Sequence, residues 1–70
     1  MTRNDMRELK RGDRLEFLGA TFTIMELRWS TGVIHVLLRD IQGRHSHVSS
    51  AWNSKLNLDQ FERIHIQGDL

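Results

Sequence analysis

Apolar and polar residues alternate in several short runs along this chain, and each run stops at a turn that contains glycine or other turn-forming residues. Leu15 and Phe17 alternate with charged neighbours, whereas the run at 33–39 has apolar residues at both its odd and its even positions. A period of two positions is typical of β-strands, because successive side chains point to opposite faces of a sheet. The pattern therefore predicts an all-β fold made of short strands joined by tight turns.

These runs and the turns between them predict five strands, at 13–18, 21–29, 33–39, 44–50 and 62–66. In the second run, Phe22 and Ile24 share one face while Leu27 falls on the other. A one-residue bulge near Met25-Glu26 is therefore predicted, because it would return Leu27 to the core side.

Three further local features are expected. Ser30-Thr31-Gly32 predicts a three-residue hairpin loop, since glycine accepts a left-handed conformation without steric cost. Residues 58–61 predict one helical or 3₁₀ turn, after which Ile64 and Ile66 are expected to point inward. Near the start of the chain, Asn4 is a candidate helix cap for a helix of one or two turns.

The chain has 70 residues and no cysteine, so neither a disulfide nor a thiolate zinc site supports its core. A domain of this size buries only about 60% of the surface that its unfolded chain exposes. Self-association is one remaining route to stability, and we therefore expect a homo-oligomer. No apolar run is long enough to span a membrane, and the charged start lacks the apolar run of a secretory signal. The expected location is the cytoplasm, without a membrane partner.

Three segments resemble the small SH3-like barrels: LKRGDRLEF at 9–17, GVIHVLLRD at 32–40 and LDQFERIHI at 58–66. A basic-Gly-Asp-x-apolar opening and a Leu-x-x-Phe-x-x-Ile close are common in such domains. The resemblance implies a five-stranded SH3-like barrel over residues 9–66, with a short helical turn before its last strand. It leaves 1–8 as a flexible or briefly helical segment and 67–70 as a frayed tail. Such barrels commonly serve as recognition modules in translation, transcription, and phage or plasmid proteins.

Three specialised functions of such barrels are not implied. Signalling SH3 domains use an acidic, tyrosine-rich first loop, but this chain has no tyrosine and Leu18-Gly19-Ala20 is too short for that loop. Readers of methylated lysine need several aromatic side chains around one pocket, and most of the five aromatic residues here are needed for the core. The barrel-type plasmid dihydrofolate reductases have a Val-Gln-Ile-Tyr active-site strand that has no counterpart in this chain.

The segment 41–58 contains no acidic residue. Its candidate contact residues for nucleic acid are basic, aromatic or amide side chains: Arg44, His45, His47, Trp52, Asn53 and Lys55. Arginine and lysine neutralise phosphates, asparagine donates to phosphate oxygens, and tryptophan stacks on bases. Without a recognition helix for the major groove, RNA or single-stranded DNA is the expected partner. The alternative interpretation is a polar edge strand and loop, with Trp52 closing the open end of the barrel.

The net charge is +1, which is not the strong basic excess of a typical nucleic-acid binder. A second function class therefore stays open: an adaptor or inhibitor of the phage or plasmid type that binds a host protein. Its candidate interface consists of four residues on neighbouring predicted strands: Trp29, Val33, His35 and Leu37. A group of basic residues near the start of the chain is interleaved with acidic ones: Arg3, Arg7, Lys10, Arg11 and Arg14. This mixture predicts a solvated face with local ion pairs.

Neither catalysis nor a metal or cofactor is expected. A triad drawn from Ser49, His47 and Asp40 has no recognisable nucleophile turn or oxyanion hole. His45 and His47 share a strand face, but zinc normally takes three or four protein ligands. The glycines are scattered among turns, so no loop cradles a phosphate. The sequence therefore predicts a small non-enzymatic binding or regulatory module.

Overall fold

The computed structural model describes residues 1–64, which form one antiparallel sheet of five strands with a short helix and a 3₁₀ turn. The elements follow the chain in this order: α1 (Arg3–Arg7), β1 (Arg14–Phe17), β2 (Ala20–Ser30), β3 (Val33–Asp40), β4 (His45–Ser49), the 3₁₀ turn (Leu58–Gln60) and β5 (Glu62–Ile64). The predicted all-β class and the 3₁₀ turn before the last strand are confirmed.

The strand order across the sheet is β4-β3-β2-β1-β5. Consecutive strands from β1 to β4 form hairpins, and β5 returns to pair with β1. β4 and β5 are therefore the two edges of the sheet, and no strand ladder joins them within residues 1–64. Ile66 and the predicted tail at 67–70 lie outside the described residues.

β2 contains the predicted bulge. Met25 is the extra residue, between the pairs that Ile24 and Glu26 form with β3. Leu27 consequently pairs with Val36 and packs against the core. Because a strand has a period of two, the chain without this extra residue would turn Leu27 towards solvent. The prediction of the bulge and of its effect is confirmed.

The β1–β2 and β2–β3 connections are two-residue turns in which both residues have positive φ, namely Leu18-Gly19 and Thr31-Gly32. Ser30 pairs with Val33, so the predicted three-residue loop at this position is wrong. Turns with two left-handed residues match the right-handed twist of the flanking strands, which explains the shorter connection.

The core lies against one face of the sheet. Its buried residues come from α1 and the segment after it, from each of the strands β1 to β4, and from the 3₁₀ turn with the residue that follows it: Met6, Leu9, Leu15, Ile24, Ile34, Val36, Leu38, Val48, Leu58 and Phe61. A five-residue helix is unstable alone, so α1 depends on the burial of Met6. Thr2, and not Asn4, caps α1, because its hydroxyl accepts from the Asp5 N–H at 3.1 Å.

The side chains of β5 point to the opposite sides of the sheet from those predicted. Ile64 pairs with Arg14 and Arg63 pairs with Leu15, so Arg63 takes the inward position and the prediction for Ile64 is wrong. The Arg63 guanidinium lies 3.2 Å from the Glu8 carboxylate and 3.4 Å from that of Asp13. These two ion pairs neutralise a charge at a position that an apolar side chain was expected to fill.

Candidate nucleic-acid interface

The face of the sheet opposite the core is rich in arginine and histidine. Beside a row that holds Glu62, Glu16 and Thr21, three cross-strand rows of this face carry those residues: Arg14, Thr23, Arg39 and His45; Glu26, Leu37 and His47; and Arg28, His35 and Ser49. Residues paired in this way project from the same face, with Cβ atoms about 4.5–5.5 Å apart. We call these three rows the outward face. Glu26 is the single acidic residue among them.

An open groove of about 430 Å³ lies where β3, β4 and the loop after β4 meet. Its lining contains no acidic residue: His35, His47, Val48, Ser49, Ser54, Lys55 and Leu56. His35 pairs with Ser49, which lies two positions beyond His47, so the two imidazoles are diagonal neighbours. The hydroxyl oxygens of Ser49 and Ser54 are 2.7 Å apart and join β4 to the loop. The groove therefore combines two imidazoles, an ammonium group and hydroxyls.

Hydrogen bonds hold the loop that carries Lys55 against the sheet. The Ser50 N–H donates to the Ile34 carbonyl, and the Ile34 N–H donates to the Ser50 hydroxyl, both at 3.1 Å. Farther along, the Asn57 side-chain amide donates to the Ala51 carbonyl at 2.7 Å. The loop is thereby closed on itself between residues 51 and 57, next to the groove.

The structure brings several of the predicted nucleic-acid contacts to this region. His47 and Lys55 line the groove, and His45 lies one row away on the outward face. Trp52 and Asn53 are exposed in the loop that also carries Lys55. The side chain of Trp52 is 93% exposed, so the alternative in which it closes the end of a barrel is wrong.

Arg44 lies apart from the groove, at the turn between β3 and β4. Its Nε donates to Asp40 Oδ2 at 3.0 Å, and the N–H groups of Arg44 and Gln42 both donate to Asp40 Oδ1 at 2.9 Å. The backbone hydrogen bond from Arg44 is the main cause that holds the pKa of Asp40 below its ordinary value. Arg44 thus closes a turn and is not brought together with His47 and Lys55.

The predicted protein interface is divided between two faces. Val33, His35 and Leu37 alternate with buried residues of β3 and project outward. Trp29 pairs with the buried Ile34, so it lies on the core side of the sheet. His35 instead joins the groove together with predicted nucleic-acid contacts.

The sequence interpretation assigns no binding role to three arginines of the outward face. It places Arg14 in the solvated amino-terminal cluster and leaves out Arg28 and Arg39. The sequence does indicate the outward position of two of them, because Arg14 precedes the apolar Leu15 and Arg39 follows the apolar Leu38. Strict alternation puts such arginines on the face opposite the core.

No protein-family model matches this chain, and comparisons with the curated proteins and with the solved structures find no match either. Residues 1–64 contain no group of three or more His, Cys, Asp or Glu side chains placed to hold a metal ion. No helix in that range has the length and hydrophobicity of a transmembrane span. The chemistry of the outward face and its groove is therefore the guide to function.

Proposed function

We propose that this protein is a small, non-enzymatic regulatory module that binds single-stranded RNA or DNA on its outward face. The observation that carries the proposal is the acid-free groove, where His35, His47 and Lys55 converge from three separate segments of the chain. An ammonium group neutralises a phosphate, and imidazole rings stack on unpaired bases. The groove therefore offers both kinds of contact that single strands use.

Trp52 supports the same function. Its ring is exposed in the loop that also carries Lys55, where it offers a stacking surface for a base. Base–aromatic stacking is worth about 1–3 kcal/mol per base and is available only when bases are unpaired. Within residues 1–64 the single helix has five residues, and a major-groove reader needs a helix or ribbon that enters the duplex. A single strand is accordingly the better ligand.

The same proposal includes an SH3-like barrel. It is supported by the strand order, by the bulge at Met25 that lets β2 bend, and by a parallel bridge between Ser49 and Asn57. The proposal also includes self-association in the cytoplasm, because within residues 1–64 the β4 edge is unpaired except at Ser49 and the core is small. Sedimentation equilibrium that returns only monomer would remove the homo-oligomer from this proposal.

The test is the binding of short labelled RNA and DNA strands, measured by fluorescence anisotropy as the salt concentration is raised. Phosphate contacts predict that log Kobs falls linearly with log salt between about 50 and about 200 mM. Lys55→Gln is expected to weaken binding and to reduce the slope by about 0.7, because one phosphate contact is lost. Lys10→Gln is the matched control, since Lys10 is the other lysine and is exposed outside the groove.

Two results would contradict the proposal: no binding of any strand at the lowest salt, or equal effects of the two lysine substitutions. The alternative function is the phage- or plasmid-type adaptor or inhibitor that binds a host protein. The edge of β4 favours it, because within residues 1–64 this edge has one isolated bridge, from Ser49 to Asn57, and an edge that is otherwise unpaired accepts an extra strand from a partner. It predicts a stoichiometric protein complex that persists across the same salt range and is unaffected by Lys55→Gln.

A further inference from the structure

A second cavity on the outward face lies away from the groove. It has a volume of about 260 Å³ and opens near the β3–β4 turn. Its lining comes from β1, β2, β3 and that turn: Arg14, Thr21, Thr23, Arg39, Asp40 and Ile41. Arg14 and Arg39 both pair with Thr23, one from each side, so the two arginines flank a threonine in a single row.

We infer that Arg14 and Arg39 form a phosphate-binding subsite, with the phosphate held between the two guanidinium groups above Thr23. The two arginines stand two strands apart, at about 10 Å between backbones. Both arginines line this one cavity, so a phosphate in the cavity lies within reach of each of them. A guanidinium donates two parallel hydrogen bonds to phosphate oxygens, and the Thr21 and Thr23 hydroxyls supply further donors.

The charges around the cavity favour an anion. Within residues 1–64, neither Arg14 nor Arg39 forms an ion pair, because the salt bridges there involve Arg44 and Arg63. Asp40 also lines the cavity, but its carboxylate already accepts hydrogen bonds from Arg44 and Gln42. Within the described residues, no ion pair therefore neutralises the two guanidinium charges that line this cavity.

The residues on the two sides of the subsite differ in charge. Glu16 lies two positions beyond Arg14 on β1 and pairs with Glu62, so that side of the sheet repels anions. On the other side, Arg39 pairs with His45, which lies two positions before His47 on β4. On β4, this side of the subsite therefore continues through His45 and His47 towards the groove without an acidic residue. The phosphate at the subsite can belong to a phosphodiester strand or to a small phosphorylated compound.

The first experiment uses inorganic pyrophosphate and the arginine Nε–Hε signals in ¹⁵N-labelled protein, with chloride at matched ionic strength as reference. We expect saturable shifts of the Arg14 and Arg39 signals, and loss of the Arg39 response in R14Q. Arg7 and Arg11 are exposed arginines outside the cavity and serve as internal controls. Shifts of equal size at those two arginines would show screening only and would overturn the subsite.

The second experiment separates the sources of the phosphate, and this step alone rests on the proposed function. Strand binding is compared for the wild type, R14Q/R39Q and the control R7Q/R11Q. A nucleic-acid phosphate at the subsite predicts that R14Q/R39Q reduces the salt slope by about 1.4, whereas the control leaves it unchanged. A saturable pyrophosphate response with an unchanged slope would assign the site to a small phosphorylated compound.

The two proposals also fail separately. Pyrophosphate binding at Arg14 and Arg39 without binding of any strand would remove the proposed function and leave the subsite in place. Strand binding that depends on Lys55, with neither a pyrophosphate response nor a change of slope in R14Q/R39Q, would overturn the subsite alone.

Discussion

Leu18 occupies a left-handed conformation, with φ of 51°, in the two-residue turn between β1 and β2. A left-handed residue with a Cβ costs about 1–2 kcal/mol, and asparagine is one of the few residues that reduces this cost. Leu18→Asn creates an Asn-Gly pair, which is the preferred sequence for such turns. We expect the substitution to raise the free energy of unfolding by about 1 kcal/mol, measured by urea denaturation.

Ile41→Asn is the matched control for this prediction. Leu18 and Ile41 are both exposed aliphatic residues of turns, with 89% and 88% of their surfaces accessible. Only Leu18 has a positive φ, so only Leu18→Asn relieves backbone strain. Equal changes in stability for the two variants would show that surface polarity, and not the turn conformation, determines the effect.

The turn between β3 and β4 depends on the ionised form of Asp40. Its pKa is lowered in the folded protein, chiefly by the backbone hydrogen bond from Arg44. The resulting stabilisation is fully present above the unfolded pKa of this carboxyl, and it is lost as the pH falls through the folded pKa. We therefore expect Asp40→Asn to show a smaller decrease in its urea midpoint than the wild type as the pH falls from about 5 to about 2. Parallel decreases in the two proteins would contradict this assignment.

The elements differ in how far the sequence predicts them. Alternation is sufficient to place the bulge in β2, because Leu27 has to reach the same core as Ile24. Alternation fails in β5, because it allows either Phe61 and Arg63 or Ile64 and Ile66 to face the core. The burial of Phe61, whose ring lies 4.9 Å from that of Phe17, decides between them. Contacts of this kind join distant parts of the chain and are not visible in a local pattern.

The candidate site shows the same limit. Two residues that line the groove, His47 and Lys55, lie within the acid-free segment 41–58. His35 belongs to β3, and its place beside His47 follows from the register of the β3–β4 hairpin. Arg14 and Arg39 flank Thr23 only because β2 lies between the strands that carry them. Composition therefore identifies the half of the site that is contiguous in sequence, whereas sheet topology supplies the other half.

At the scale of the whole molecule, a net charge of +1 conceals an uneven distribution. The acidic Glu8, Asp13 and Asp40 are engaged in ion pairs, whereas the outward face gathers arginines and histidines. Threonine, isoleucine or histidine lies opposite Arg14, Arg28 and Arg39, so these arginines lack the opposite-charge pairs that stabilise a sheet by about 0.2–1 kcal/mol each. A surface of this kind is expected to trade some stability for binding.

The substitution Arg39→Thr tests whether binding is gained at the expense of stability at this position. Threonine is more favourable in a strand than most residues and would pair with Thr23 of β2. The substitution also removes the cation opposite His45. We expect the free energy of unfolding to stay unchanged or to rise by up to about 1 kcal/mol, while the binding of labelled strands weakens. Arg11→Thr, at an exposed position before β1, is expected to leave binding unchanged. A loss of stability in Arg39→Thr comparable to that of a core substitution, about 2 kcal/mol or more, would show instead that Arg39 supports the fold.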